Sequence, residues 1–119
     1  MSEHDQLQPI LQQLLQVHGA SFQLGEHEVA FHALAAAAHA AERLDDMETL
    51  GRVAALSREE LEWMDANQPH HRLSTLSAGE RHHRSMFEQL ASTATTMQRR
   101  IHTDHLRQAA AVALEVIRA

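Results

Sequence analysis

The fold class of this chain is decided by residues 25–44, which read GEHEVAFHALAAAAHAAERL. Small apolar side chains recur there at helical spacing and mark one face: Val29, Ala33, Ala37, Ala40 and Leu44. The polar and charged side chains fall on the opposite face. Because alanine loses little entropy in a helix and lets a neighbouring helix approach closely, the stretch predicts a helix packed against other helices.

The other segments also carry helix signals, and strand signals are nearly absent: the chain has no Tyr and no period-two alternation of β-branched residues. Proline, glycine and capping residues predict helices at about 9–18, 47–67 and 104–118, and a further helix from Ser77 to about residue 101. The longest loop spans residues 68–76. We therefore predict a single all-α domain over residues 1–119, an antiparallel bundle or helical array of about five helices.

Two helix boundaries depend on the phase of the apolar pattern. The segment from Leu56 to Leu61 is a capping box that favours a new helix at Ser57, but the apolar phase continues through it. We therefore predict one continuous helix over residues 47–67. After Ile101 the phase rotates by about a quarter turn or more, which predicts a break near residues 102–104. On the helix before that break, the inward stripe includes His83.

Composition and charge argue against several classes of function. The net charge of −6 argues against a nucleic-acid partner, and the absence of Cys excludes disulfides and thiolate metal sites. With four Gly and no G-x-S-x-G motif, neither a phosphate-binding loop nor a serine nucleophile is expected, so the prediction leans toward a non-enzymatic protein. No apolar run has membrane-spanning length and no signal peptide is recognisable, so we expect a cytoplasmic protein without a membrane partner.

Residues 25–37 resemble one half of a tetratricopeptide repeat. The resemblance rests on Gly25, His27, Ala30, Leu34 and Ala37, which fall where that repeat places Gly, an aromatic residue, Ala, a large apolar residue and Ala. The pair Leu50-Gly51 is similar to the start of a following repeat, but no second copy occurs at the 34-residue period. The resemblance implies a helical hairpin that is used for protein recognition.

The eleven His raise the alternative of a metal site. Helical bundles hold divalent transition metals with Glu and His side chains that project inward from facing helices. The candidate ligands are Glu28, His32, His39, Glu42, His83, His102 and His105. A solvated polar face opposite the alanine core explains most of this pattern without a metal. We therefore predict no cofactor, and keep a His/Glu metal-binding bundle and a pH-responsive switch as alternatives.

Leu56 and Trp63 are the candidate partner-binding residues. They are seven residues apart and displaced by about 90° from the main apolar stripe of their helix, so they give it a second apolar edge. Trp is enriched at the centres of protein interfaces. Either helices one and five of the same chain cover this edge, or it meets another helix, most economically in a homodimer. The sequence thus predicts a non-enzymatic helical domain for protein–protein interaction or scaffolding.

Overall fold

The computed structural model describes residues 2–119, which form five helices and no strand. The helices are α1 (Glu3–Gln23), α2 (His27–Arg43), α3 (Met47–Asn67), α4 (Thr75–Glu80) and α5 (Met86–Arg118). The predicted all-α fold is therefore confirmed. No helix within residues 2–119 has both the length and the apolarity that a bilayer crossing requires.

The helices pack as two pairs, α1 with α2 and α3 with α5, and α2 joins the pairs by contacting both α3 and α5. The core contains the alanine face of α2 together with large side chains from the other helices, among them Leu11, Leu50, Met64 and Phe87. The alanines predicted to face the core are buried, whereas Val29 is exposed. Small side chains on α2 suit its central position, since three helices must approach it.

The continuous helix predicted over residues 47–67 is confirmed, because α3 spans these residues without a break. Its N-cap is Asp46, whose carboxylate accepts hydrogen bonds from the backbone N–H of Thr49 at 3.0 Å and from the Thr49 hydroxyl at 2.6 Å. Ser57 does not start a new helix. Its hydroxyl instead donates to the Val53 carbonyl at 2.8 Å within the same helix.

The predicted boundaries of the first helix were wrong at both ends. Ser2 and Asp5 form a capping box that starts α1 before Pro9, which therefore lies inside the helix. Gly19 also lies inside α1 and does not end it. The left-handed position after the helix belongs to Gly25, with a φ of 80°.

The helix predicted from Ser77 to residue 101 was also wrong. Ser74 caps the six-residue helix α4, which ends at Glu80. His82 then adopts a φ of 59°, and Ser85 caps α5 by accepting the Phe87 N–H at 3.2 Å. His83, which we predicted on the inward stripe, is consequently exposed in the turn between the two helices.

The break predicted near residues 102–104 does not occur, because α5 continues without interruption to Arg118. The last buried residue is Ile101, and every residue from 102 onward is exposed. We call residues 102–118 the α5 extension. The apolar phase changes at Ile101 because the helix leaves the body of the domain there, so its later side chains are exposed and face none of the other described helices.

Candidate functional site

A groove of about 270 Å³ separates α1 from α3. No Cα atoms of these two helices lie within 8 Å of each other in the described residues. Leu15, Phe22 and Leu56 contribute its apolar walls, Glu60 and His18 contribute polar atoms, and Arg52 lies two helical turns before Glu60 on α3. The groove exists because α1 packs on α2 and α3 packs on α5, so α1 and α3 meet only through side chains.

His18 and Glu60 form a buried pair across this groove. The His18 Nδ1–H donates to the Ala30 carbonyl at 2.8 Å, and Nε2 lies 2.8 Å from Glu60 Oε2. The approach to Oε2 is poorly aligned for a hydrogen bond, and neither Glu60 oxygen has a well-aligned donor in residues 2–119. Both ring nitrogens face acceptor oxygens, an arrangement that only the imidazolium form satisfies. Burial lowers the pKa of His18, but Glu60 and the Ala30 carbonyl outweigh it, and the pKa lies above 6.5.

His27 is the second buried histidine, and it lies in an aromatic cluster. Its ring centroid is 4.8 Å from that of Phe22, 5.2 Å from Trp63 and 5.5 Å from His71. Neither ring nitrogen has a hydrogen-bond partner among the described residues, although the residue is only 3% exposed. Burial, together with the nearby His71, lowers the pKa of His27 below 6.5, which disfavours protonation of its ring.

Leu56 and Trp63, the predicted partner-binding residues, both lie on the side of α3 that faces α1. Leu56 is half-buried and lines the groove. The Trp63 ring is 5.4 Å from that of Phe22 but remains 40% exposed. Helix α1 therefore covers part of this edge within the same chain, and the rest of Trp63 stays open to solvent.

The α5 extension presents a second open surface. Its five large aliphatic side chains are between 51 and 78% exposed: Leu106, Val112, Leu114, Val116 and Ile117. At 100° per residue, six apolar residues form one stripe along it: Leu106, Ala109, Ala110, Ala113, Val116 and Ile117. We call this set the extension stripe. The opposite side of the helix carries charged residues: Asp104, Arg107, Glu115 and Arg118. The extension is therefore amphipathic, and no helix among residues 2–119 covers its apolar side.

The extension stripe continues onto the body of the domain. Gln98, Arg99 and His102 occupy the same side of α5 one to two turns earlier, and with Met47 they surround a cavity of about 310 Å³. The Gln98 side chain donates to the Met47 carbonyl at 3.0 Å, which fixes one wall of this cavity. One continuous surface thus runs from the start of α3 to the end of α5.

The candidate metal ligands are not brought together. Within residues 2–119, no three His, Asp or Glu side chains converge in an arrangement that holds an ion. Glu28 pairs with Arg72 at 2.9 Å, and Glu42 pairs with Arg100 at 3.2 Å. The histidines of the set are all exposed: His32, His39, His83, His102 and His105. The metal-binding alternative therefore receives no support from the arrangement of these residues.

Sequence reasoning missed the pairing of His18 with Glu60. A signal was present, because His18 recurs on the apolar face of α1 with Leu11 and Leu14, and Glu60 lies between Ser57 and Met64 on the buried side of α3. Two titratable residues on the core-facing sides of different helices are candidates for a buried ion pair. Spacing alone does not show that α1 and α3 face each other, so only the fold could bring them together.

Comparisons with protein-family models, curated proteins and solved structures give no match to this chain. The resemblance of residues 25–37 to a tetratricopeptide repeat therefore stays a prediction. Residues 2–119 present two open surfaces, the groove and the extension stripe.

Proposed function

We propose that this protein is a helical protein–protein interaction module that self-associates through the α5 extension. The observation that carries the proposal is that residues 102–118 continue a regular helix beyond the body, with an apolar stripe that stays exposed in the structure of residues 2–119. Exposed apolar surface of this kind is typical of interaction sites. The sequence prediction of an interaction or scaffold domain is consistent with this surface.

A second copy of the chain is the partner that the extension stripe fits best. Its residues recur at three- and four-residue intervals, the spacing at which two helices interlock along a seam. Large side chains lie at both ends, Leu106 at one and Val116 with Ile117 at the other, and alanines lie between them. Whichever way two extensions run, large residues meet large ones and alanines meet alanines. The stripe can therefore pair apolar residues with apolar residues of a second copy, as a two-fold symmetric interface requires.

The size of the surface is also sufficient for a specific contact. The extension is about 25 Å long at 1.5 Å per residue. Two such helices bury on the order of 1,000 Å² in total, which is the lower limit for a specific interface. The cavity beside Met47 and His102 adds area at the body end of the seam. We therefore expect a dimer that dissociates in the micromolar range.

Sedimentation equilibrium of two variants tests the proposal. Ala113 lies in the middle of the extension stripe, whereas Ala111 lies on the opposite side of the same helix and both are exposed. Ala113→Glu places a charge in the seam and weakens the dimer at least about a hundredfold, equivalent to about 2.8 kcal/mol. Ala111→Glu is the matched control, with the same change in charge and helix propensity, and leaves the dimer intact. A wild-type chain that stays monomeric through the micromolar range refutes self-association.

The Leu56/Trp63 edge is the competing surface for the same function. Trp63→Ala, measured in the same experiment, separates the two surfaces because residue 63 is on α3 and not on α5. If the extension is the interface, Trp63→Ala dimerises like the wild type. If Trp63→Ala is monomeric and Ala113→Glu still dimerises, the Leu56/Trp63 edge is the interface and the extension is not.

A further inference from the structure

His27 is enclosed by side chains from three other parts of the chain. Phe22 from α1, Trp63 from α3 and His71 from the loop between α3 and α4 have their ring centroids within 5.5 Å of that of His27. Only 3% of His27 is exposed. We call these four residues the His27 cluster. The cluster joins the start of α2 to the loop of residues 68–74.

The position of the His27 ring opposes its protonation. Neither ring nitrogen has a hydrogen-bond partner among the described residues, so an added N–H would have no acceptor. His27 is also the first residue of α2, where the positive end of the helix dipole repels a cation. Burial lowers the pKa of His27 and so acts in the same direction. A proton on His27 is therefore accommodated only if the ring leaves the cluster.

The titratable groups around the ring do not compensate for this. Glu60 on α3 favours a proton on His27, but its carboxylate already faces His18 of α1 at 2.8 Å. Glu26, just before α2, also favours the proton, but it is exposed and solvent weakens its effect. His71 of the loop opposes the proton. The pKa of His27 is lowered because burial and His71 outweigh the two carboxylates.

His71 contributes a hydrogen bond that depends on its neutral form. Its Nδ1 atom accepts the backbone N–H of Leu73 at 3.0 Å, so the neutral ring carries its hydrogen on Nε2. A proton added at Nδ1 would replace this acceptor with a second N–H and break the bond. Acid therefore acts on both sides of the contact, on His27 of α2 and on His71 of the loop.

The loop and the start of α2 can both move without unfolding the core. Residues 68–70 and Arg72 are exposed, and segments with few buried contacts open at low cost. The pair between Arg72 and Glu28, at 2.9 Å, is also exposed and adds little stability. No side chain caps the start of α2 at Glu26, so its first turn is held less firmly than a capped one. The core begins again at Leu73.

We propose that the His27 cluster is an acid-sensitive switch, in which a proton on His27 releases its ring and residues 68–72 move away from α2. The released ring takes up its proton near pH 6.5, whereas the ring in the closed cluster takes it up only at lower pH. The open form therefore gains over the closed form as the pH falls below about 6.5. Phe22 and the covered part of Trp63 then become accessible. The switch involves no residue of the α5 extension, so it does not depend on self-association.

The fluorescence of Trp63, the single Trp of the chain, tests the switch directly. On acidification from about pH 7.5 to about pH 5, we expect a red shift of the emission and at least about a twofold increase in quenching by acrylamide. The far-ultraviolet circular dichroism should stay unchanged over the same range, because the helices remain folded. Loss of helix at the same pH as the red shift would show global unfolding and would overturn the proposal.

One variant removes the proton site of the switch. His27→Phe keeps an aromatic ring in the cluster but cannot take up a proton, so its Trp63 emission should not change with pH. His70→Gln, in the exposed part of the same loop, is the control and should show the wild-type transition. A transition that persists in His27→Phe overturns the proposal.

A second variant weakens the closed form from the loop side and leaves the cluster intact. Arg72→Gln removes the pair with Glu28, so the transition should move to higher pH by about 0.2–0.7 units. Arg84→Gln removes an exposed pair with Glu88 that is not part of the contact, and it should leave the transition in place. Equal behaviour of these two variants would show that residues 68–72 do not move.

Discussion

Among single residues, His18 and His27 are both buried, but their pKa values are shifted in opposite directions. His18 has an acceptor on each ring nitrogen, the Ala30 carbonyl and Glu60, and its pKa is raised above 6.5. His27 has aromatic rings around it and no hydrogen-bond partner in residues 2–119, and its pKa is lowered. Equal burial thus has opposite consequences, because the neighbouring acceptors decide which form of the imidazole is stabilised.

These shifts predict a maximum of stability near pH 6.5. For His18 the folded pKa is the higher one, so its contribution is present below about pH 6.5 and lost as the pH rises through the folded pKa. For His27 the folded pKa is the lower one, so the unfolded chain binds its proton first and stability is lost as the pH falls below about 6.5. The two residues therefore act on opposite sides of the maximum.

Urea denaturation as a function of pH, with one variant for each histidine, checks this prediction. His27→Phe keeps the ring shape and removes the unpaired nitrogens, so it should flatten the acid side and raise the free energy of unfolding by about 1 kcal/mol. Glu60→Gln should flatten the alkaline side, because it removes the charge that raises the pKa of His18. The exposed His32→Gln is the control and should change neither side. An unchanged acid side in His27→Phe would contradict the assignment.

At the scale of secondary structure, α1 tolerates two residues that usually end helices. Pro9 lacks the N–H that would bond one turn back, and Gly19 adds conformational freedom, yet the helix runs from Glu3 to Gln23. Packing against α2 stabilises it, since α1 buries Leu11, His18 and Ser21. Tertiary contacts therefore outweigh local propensity along this helix.

The glycines should respond to Ala substitution according to their place in the helices. Gly19→Ala should stabilise the protein by about 1 kcal/mol, because residue 19 is helical and the new methyl meets no atom within 4 Å. Gly25→Ala should destabilise it by about 1–2 kcal/mol, since its φ of 80° is left-handed. At Gly51 the methyl would lie 2.8 Å from Gln98 Nε2, so the gain in propensity should be offset. Thermal unfolding of the three variants gives this order, and a destabilising Gly19→Ala would show that the position is not open.

The α5 extension should be stable only when it is paired. Every residue from 102 onward is exposed, and isolated helices shorter than about 12–15 residues are marginal in water. Hydrogen exchange of the amides in residues 106–118 should therefore be fast in dilute protein and become protected as the concentration rises. Val53 in the buried part of α3 serves as the internal control, because its protection should not depend on concentration. Concentration-independent protection of the extension would contradict the paired state.

On the scale of the whole molecule, the protein is elongated because of α5. Its Cα radius of gyration is 17.6 Å, whereas a compact chain of this length has about 13–14 Å. The longest of its three extents is 63 Å and the shortest is 18 Å. The body is the part that ends at Ile101, so the molecule consists of a packed body and a projecting helix.

Removal of residues 105–119 should separate these two parts. The core includes no residue beyond Ile101, so the free energy of unfolding of the shortened chain should stay within about 0.5 kcal/mol of that of the monomeric full chain. Self-association should be lost. Denaturation of Ala113→Glu provides the monomeric reference, and a large loss of stability on truncation would show that the extension contacts the body.

Much of the architecture was predictable from the sequence, because it follows from periodicity. The alanine face of α2, the uninterrupted α3 and the core positions Phe87, Leu90, Ala94 and Met97 all recur at helical spacing. The Asp46 cap is likewise a local signal, in which a side chain bonds to the backbone of the next turn. The interaction role was also predicted from the sequence, because Leu56 and Trp63 form a second apolar edge on their helix.

The tertiary structure decided which apolar residues are covered. From the sequence, the change in the phase of the apolar pattern at Ile101 predicted a break in the helix. In the structure, the same change marks the point where an unbroken helix leaves the body of the domain. His83 fell outside the helix because Ser85, bonded to the Leu73 carbonyl at 2.6 Å, starts α5 after the turn. The His18–Glu60 pair joins residues 42 positions apart in the chain. The spacing of residues determines which of them share a helix face. Which helix faces contact each other depends on how whole helices pack, and the packing energy is distributed over contacts between residues that are distant in sequence.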